Sequence, residues 1–148
     1  MIGRIVLVLL VLVGAAIVDT GPAFAQSPAP LEQFVRRVGY LWEAKDVDNL
    51  VDLVSQAEPI LLNRGRGTEQ VNSRHAAAAL RALFSDVESE SVRPVKVTVS
   101  GGQPVRGFGE LFWVYRSRGV TDPQSRSVYV GAVWDGRNWR ISELRLLP

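Results

Sequence analysis

The stretch Val92-Arg93-Pro94-Val95-Lys96-Val97-Thr98-Val99-Ser100 marks the point where the chain changes period. From here Val95, Val97 and Val99 alternate with Lys96, Thr98 and Ser100, as in a strand with one dry and one wet face. Upstream, apolar residues recur every three to four positions, which is the spacing of helices. Helices first and strands afterwards give an α+β order.

Downstream of this boundary, Gly101-Gly102-Gln103-Pro104 turns the chain back. In Phe108 to Tyr115, Leu111, Trp113 and Tyr115 share one parity while Phe112 and Val114 take the other, and Val128 to Trp134 is also apolar on both parities. Such strands expect cover on two faces. Asp135-Gly136-Arg137-Asn138 is a hairpin signal that sets Trp134 opposite Trp139. Parity slips between Ile141 and Leu144, which predicts a bulge near Ser142 or Glu143.

Upstream, Leu31, Phe34, Val35, Val38, Leu41 and Trp42 form the stripe of a first helix, with Arg36, Arg37, Tyr40 and Glu43 on its other side. Asp46 can accept a hydrogen bond from the amide of Asp48 or Asn49, starting a second helix through Val47, Leu50, Val51 and Val54. Ile60 to Leu62 reads as a short strand, and Arg64-Gly65-Arg66-Gly67 as a loop. Asn72 or Ser73 caps a third helix whose stripe is Ala76, Leu80, Leu83, Phe84 and Val87, and the four alanines from Ala76 give it a smooth face for close packing.

The first residues carry a different signal. Arg4 precedes a 14-residue apolar and small-residue run from Ile5 to Val18, which stops at Asp19, Thr20, Gly21 and Pro22, and Ala23-Phe24-Ala25 is a small-x-small triplet. A spanning helix needs about 20 apolar residues, so the pattern is that of a cleaved signal peptide over 1–25, with no stable membrane insertion after cleavage. The expected mature chain is exported, to periplasm or medium, with a leader at 26–30 and one domain at 31–148.

Composition narrows the chemistry. The 148 residues contain no cysteine, which excludes disulfides and Cys-based zinc sites, and the single His75 excludes a paired-His metal centre, so no metal and no cofactor is expected. The formal net charge of +2 is too small and scattered to imply nucleic-acid binding. Lys45 and Lys96 are the only lysines, so the other fifteen of the 17 basic residues are arginines.

The helix holding Phe34 to Trp42, the turn Ala-Lys-Asp-Val-Asp-Asn-Leu at 44–50, the Ala-rich third helix ending Leu83-Phe84 and the closing Trp139-Arg140-Ile141-Ser142-Glu143-Leu144-Arg145-Leu146 resemble the NTF2-like superfamily. Within it, the chain is similar to small exported bacterial members of uncharacterised function. The resemblance implies a cystatin-like cone: three N-terminal helices packed on a curved antiparallel sheet of four to five strands. It also implies a cavity between helices and sheet, and frequent dimerisation through the sheet's outer face. It implies no reaction, since the superfamily holds isomerases, dehydratases, cyclases and many noncatalytic members.

Candidate sites follow from residue type and place. Trp42, Trp113 and Tyr115 are large aromatics that can line a cavity for an apolar ligand or simply pack a core. Arg64 and Arg66, flanked by Gly65 and Gly67, are the best anion-binding candidates, because guanidiniums offer forks and glycines expose backbone amides. The Gly-x-Gly pairs at 65 and 67, and at 107 and 109, lack the third glycine and the strand-to-helix setting of a nucleotide loop. His75 falls in the first turn of the third helix, off its stripe, and no Gly-x-Ser-x-Gly elbow occurs. Ketosteroid-isomerase-like relatives place an acid and a phenol together in the cone. Here 59–68 has no acid, and among Glu110, Tyr115 and Glu143 no acid and phenol share a face.

The expectation is therefore a noncatalytic binding or interaction module with a possible small-molecule ligand, an isomerase or dehydratase being the alternative. Three helices cover one sheet face only, so Phe112 and Val114 are the candidate contacts of a homodimer through the other. Mass spectrometry of the exported protein should give a chain starting at Gln26; recovery of the full-length chain in the membrane would contradict the signal-peptide reading.

Overall fold

The structure is a computed structural model that describes residues 30–65 and 67–148. Residues 1–29, where the signal peptide, its cleavage point after Ala25 and the leader are expected, and Arg66 lie outside the described residues. Helix α1 (Leu31–Glu43) buries Leu31, Val35, Val38, Leu41 and Trp42. Helix α2 (Val47–Asp52) starts where the Asp46 carboxylate accepts the Asn49 amide, and α3 (Ser73–Ser85) where the Asn72 side chain accepts the His75 amide. Between α2 and α3 lies the hairpin β1 (Ile60–Asn63) and β2 (Thr68–Val71). Four longer strands follow: β3 (Val87–Gly101), β4 (Arg106–Ser117), β5 (Gln124–Trp134) and β6 (Trp139–Leu147).

The strands form one sheet of six in the order β2-β1-β6-β5-β4-β3, where four to five were expected. The extra strand is β2, whose Thr68, Glu69 and Gln70 are exposed. It carries no alternation because its place rests on backbone bonding to β1 rather than on burial. The sheet is also not wholly antiparallel, since β1 runs parallel to β6. After α2 the chain is tied to that strand, with the Ile141 amide donating to Leu53 (2.7 Å) and the Ser55 amide to Ile141 (3.0 Å). It therefore meets β6 travelling in the same direction.

Two further expectations are corrected. Val87 is not on α3: Asp86 closes that helix, and Val87 opens β3, whose Glu88 to Ser91 give no apolar pattern. Nor do the three valines share one dry face. Register shifts leave Glu90, Val95 and Ser100 unpaired with β4, so Val95 bulges out, 55% exposed, and of the three only Val97 packs against the core. The bulge expected near Ser142 is present, with Gly131 opposite Glu143 and Ala132 opposite Ile141, and Trp134 does face Trp139.

On β4 the burial alternates cleanly. Gly107, Gly109, Leu111, Trp113 and Tyr115 face α1 and are buried, whereas Phe108, Glu110, Phe112 and Val114 on the outer face are half-buried. The Gly-x-Gly pair is structural. A Cβ on Gly107 would collide with the Leu31 side chain, and one on Gly109 would lie 2.5 Å from a Val35 methyl. The two glycines form a notch that seats α1 on the sheet. On α1 itself Gly39 is close-fitting, since its Cβ would meet Leu111 at 3.3 Å and Val92 at 3.4 Å.

Gly109→Ala should therefore lower stability by about 1–3 kcal/mol through overpacking. Combining it with Val35→Ala should cost less than the two single changes together, because the colliding methyls are then gone. Chemical denaturation of the four proteins checks this, and a neutral Gly109→Ala would mean that α1 does not rest there.

Candidate functional site

Inside the cone the aromatic candidates meet one another. Trp42 from α1 lies edge-on to Phe84 of α3 (5.1 Å between ring centres) and to Trp113 of β4 (5.6 Å), and Trp113 stacks on Tyr115 (4.3 Å). The Trp113 indole N–H donates to Ser89 Oγ (2.9 Å), whereas the buried Trp42 Nε1 has no hydrogen-bond partner among the described residues. Trp42 and Trp113 are each 1% exposed. The crevice beside Trp42, walled by Leu62, Leu80, Leu83 and Leu144, has about 0 Å³ open to water. These rings fill the centre of the cone. Among the described residues, no polar or charged side chain is buried.

Of the anion candidates, Arg64 is exposed and its guanidinium stands 3.6 Å from the Glu69 carboxylate, while Arg66 lies outside the described residues. The adjoining groove, about 560 Å³, also carries Asp86, so an anion there meets two carboxylates. His75 is exposed at the start of α3, and its backbone amide donates to the Asn72 cap (2.9 Å).

The outer face of the sheet holds the dimer candidates in a half-polar setting. The Arg93 guanidinium sits 5.0 Å over the Phe112 ring, and that of Arg145 sits 4.3 Å over Tyr129. Glu110 accepts from Ser127 Oγ (2.7 Å) and lies opposite Tyr129 on one side and Lys96 on the other. Glu110 and Tyr115 stand on opposite faces, but Tyr129, a phenol not among the sequence candidates, shares the outer face with Glu110. Tyr129 stands on the opposite parity to Val128 and Val130, but only the β4–β5 register reveals that it faces Glu110. Burial pushes the Tyr129 phenol above its ordinary range, outweighing the hydrogen bond with Arg145 that pulls it down. A shallow hollow of about 290 Å³ opens between Lys96, Phe108, Glu110 and Tyr129.

A larger groove, about 550 Å³, opens at the N-terminal end of α1, between that helix and the β5–β6 hairpin. Phe34, Arg37, Leu53, Trp134, Arg137 and Arg140 line it. Residue order alone did not show this groove, because its walls come from three separated segments. The hairpin turn is held by Asp135, whose Oδ1 accepts the amides of Arg137 (2.9 Å) and Asn138 (2.7 Å) while Oδ2 accepts Nε of Arg140 (2.8 Å). Arg140 also reaches the Asp52 carbonyl at 3.2 Å.

Among the described residues, six strands and three helices enclose a packed interior. The chain has the NTF2-like fold. Residues of a DUF4783 family protein from Bacteroides uniformis superpose with a TM-score of 0.61 at 14% identity, covering 74% of this chain and 92% of that one. An NTF2-like protein of unknown function from Shewanella oneidensis gives 0.58 at 13% identity over 80% and 96% of the two chains. A protein from Novosphingobium aromaticivorans, provisionally named a scytalone dehydratase, gives 0.61 at 11% identity over 78% and 79%. The sequence matches no protein-family profile and no curated protein. At these identities the likeness is one of fold.

The hairpin gives a pH prediction. The Arg140 guanidinium, with the two turn amides, holds the Asp135 carboxyl down from 3.8 to about 2. A carboxylate depressed in the folded state stabilises above its unfolded value and loses that contribution as pH falls through the folded one. The protein should therefore lose stability between about pH 4 and pH 2, and Asp135→Asn should lose less over that window in denaturation curves. Parallel losses in both proteins would show that the turn does not depend on this charge.

Proposed function

We propose that the chain is an exported, noncatalytic interaction module that is secreted as residues 26–148 and pairs with a second copy through the outer face of its sheet. The observation that carries this reading is the interior of the cone, where Trp42, Phe84, Trp113 and Tyr115 occupy the centre. An isomerase or dehydratase of this fold needs room for substrate and at least two polar groups converging on it. The only polar atoms these rings bring to the centre are the indole N–H groups of Trp42 and Trp113 and the Tyr115 phenol, with no buried carboxylate or imidazole among the described residues, which favours recognition at the surface over conversion inside.

The outer face supports pairing by its composition. Phe108, Phe112, Val114 and Tyr129 are half-buried rather than wet, and the Arg93 and Arg145 guanidiniums sit over two of the rings. A ring covered by a guanidinium can keep that contact while presenting its edge to a partner. A two-fold arrangement is the simplest closed one for a face of this kind. Light scattering of the mature chain at micromolar concentration should give a dimer mass, and Phe112→Glu should give a monomer. A monomer mass that holds to high concentration would overturn the pairing, and a dimer unaffected by Phe112→Glu would place it on another surface.

A further inference from the structure

We propose that the groove at the N-terminal end of α1 binds an organic monoanion with a planar aromatic body, its carboxylate held by Arg37 and Arg137. This deepens the reading of a noncatalytic module and rests on it.

The walls combine two kinds of chemistry. Phe34 and Trp134 are half-buried, so their rings present apolar surface to the groove. Three guanidiniums line the same space, but they are not equivalent. Arg140 is neutralised by Asp135 at 2.8 Å and anchored to the Asp52 carbonyl at 3.2 Å, so it stiffens the wall. Arg37 and Arg137 form no ion pair among the described residues, unlike six other arginines of this chain. One comes from the exposed side of α1 and the other from the hairpin turn fixed by Asp135, so they approach from different walls.

The charge balance selects the ligand. Besides the Arg140–Asp135 pair, the lining holds two guanidiniums without an ion pair among the described residues and one carboxylate, that of Asp52, which leaves a surplus of one positive charge. A single carboxylate satisfies that surplus, and guanidinium forks suit its planar geometry. The aromatic body follows from Trp134 and Phe34, which reward stacking. At about 550 Å³ the groove is within the size range of small-ligand sites. The interior offers no such place, because its centre is filled by rings.

The test is calorimetric titration of the mature chain with 2-naphthoate and with the uncharged 2-naphthalenemethanol. The expected result is one naphthoate per chain, with affinity at least about tenfold above that of the alcohol. Arg37→Gln with Arg137→Gln should remove about tenfold or more from naphthoate affinity and leave the alcohol unchanged. Both arginines are exposed, and an unchanged melting temperature would certify the fold of the double variant. No naphthoate binding, equal binding of the alcohol, full affinity in the double variant, or loss on Arg64→Gln instead would each overturn the site. Light scattering of the same samples reads self-association separately, so a failed groove and a failed module reading are told apart.

Discussion

The seating of α1 in the glycine notch of β4 is the constraint on which the rest of the molecule depends. Without a Cβ at Gly107 and Gly109, Leu31 and Val35 sink to the level of the sheet backbone. The close fit continues at Gly39 against Leu111 and Val92, so the helix descends along β4 in one direction and delivers Trp42 to Trp113. The meeting of those rings with Phe84 fills the space that a looser helix would leave. The absence of two Cβ atoms thus sets how closely the helix carrying Trp42 approaches the sheet.

Because the centre is apolar, the chain's charged groups work at the surface, and the β5–β6 hairpin shows how. One carboxylate, Asp135, accepts from two turn amides and from Arg140, which both closes the turn and orients a wall of the groove. The outer face uses arginine differently, laying Arg93 and Arg145 over aromatic rings. The abundance of Arg over Lys fits both tasks, since a flat guanidinium can stack as well as fork.

Most of the fold could be read from periodicity because burial writes it. The α1 stripe, the Asp46 and Asn72 caps, the Trp134–Trp139 pairing and the bulge at Ser142 all leave local marks. What leaves no mark is structure held by backbone bonds alone, such as β2, and displacement within a regular pattern, such as Val95. The candidate sites were legible in type but not in place. Trp42, Trp113 and Tyr115 were visible as large rings, but that they close on each other depends on the notch. Glu110 and Tyr129 become neighbours only through register, and Arg37 and Arg137 line one groove only because the hairpin folds back beside the start of α1. Long-range geometry of this kind is not encoded in any single window of sequence.

The three bulges of β3 have a bearing on assembly. This 15-residue strand is one edge of the sheet, bonded on one side to β4, and a long edge can template an added strand; here the outward Val92 amide already donates to the Glu43 carboxylate (2.8 Å) and the Val87 carbonyl accepts from Lys45 Nζ (3.2 Å). Glu90, Val95 and Ser100 interrupt it at every fifth residue, and Pro94 removes a donor next to the middle one. The runs left between the interruptions, 91–94 and 96–99, are four residues each, no longer than the short strands β1 and β2. Short, interrupted runs of this kind discourage growth by strand addition, which has no natural end.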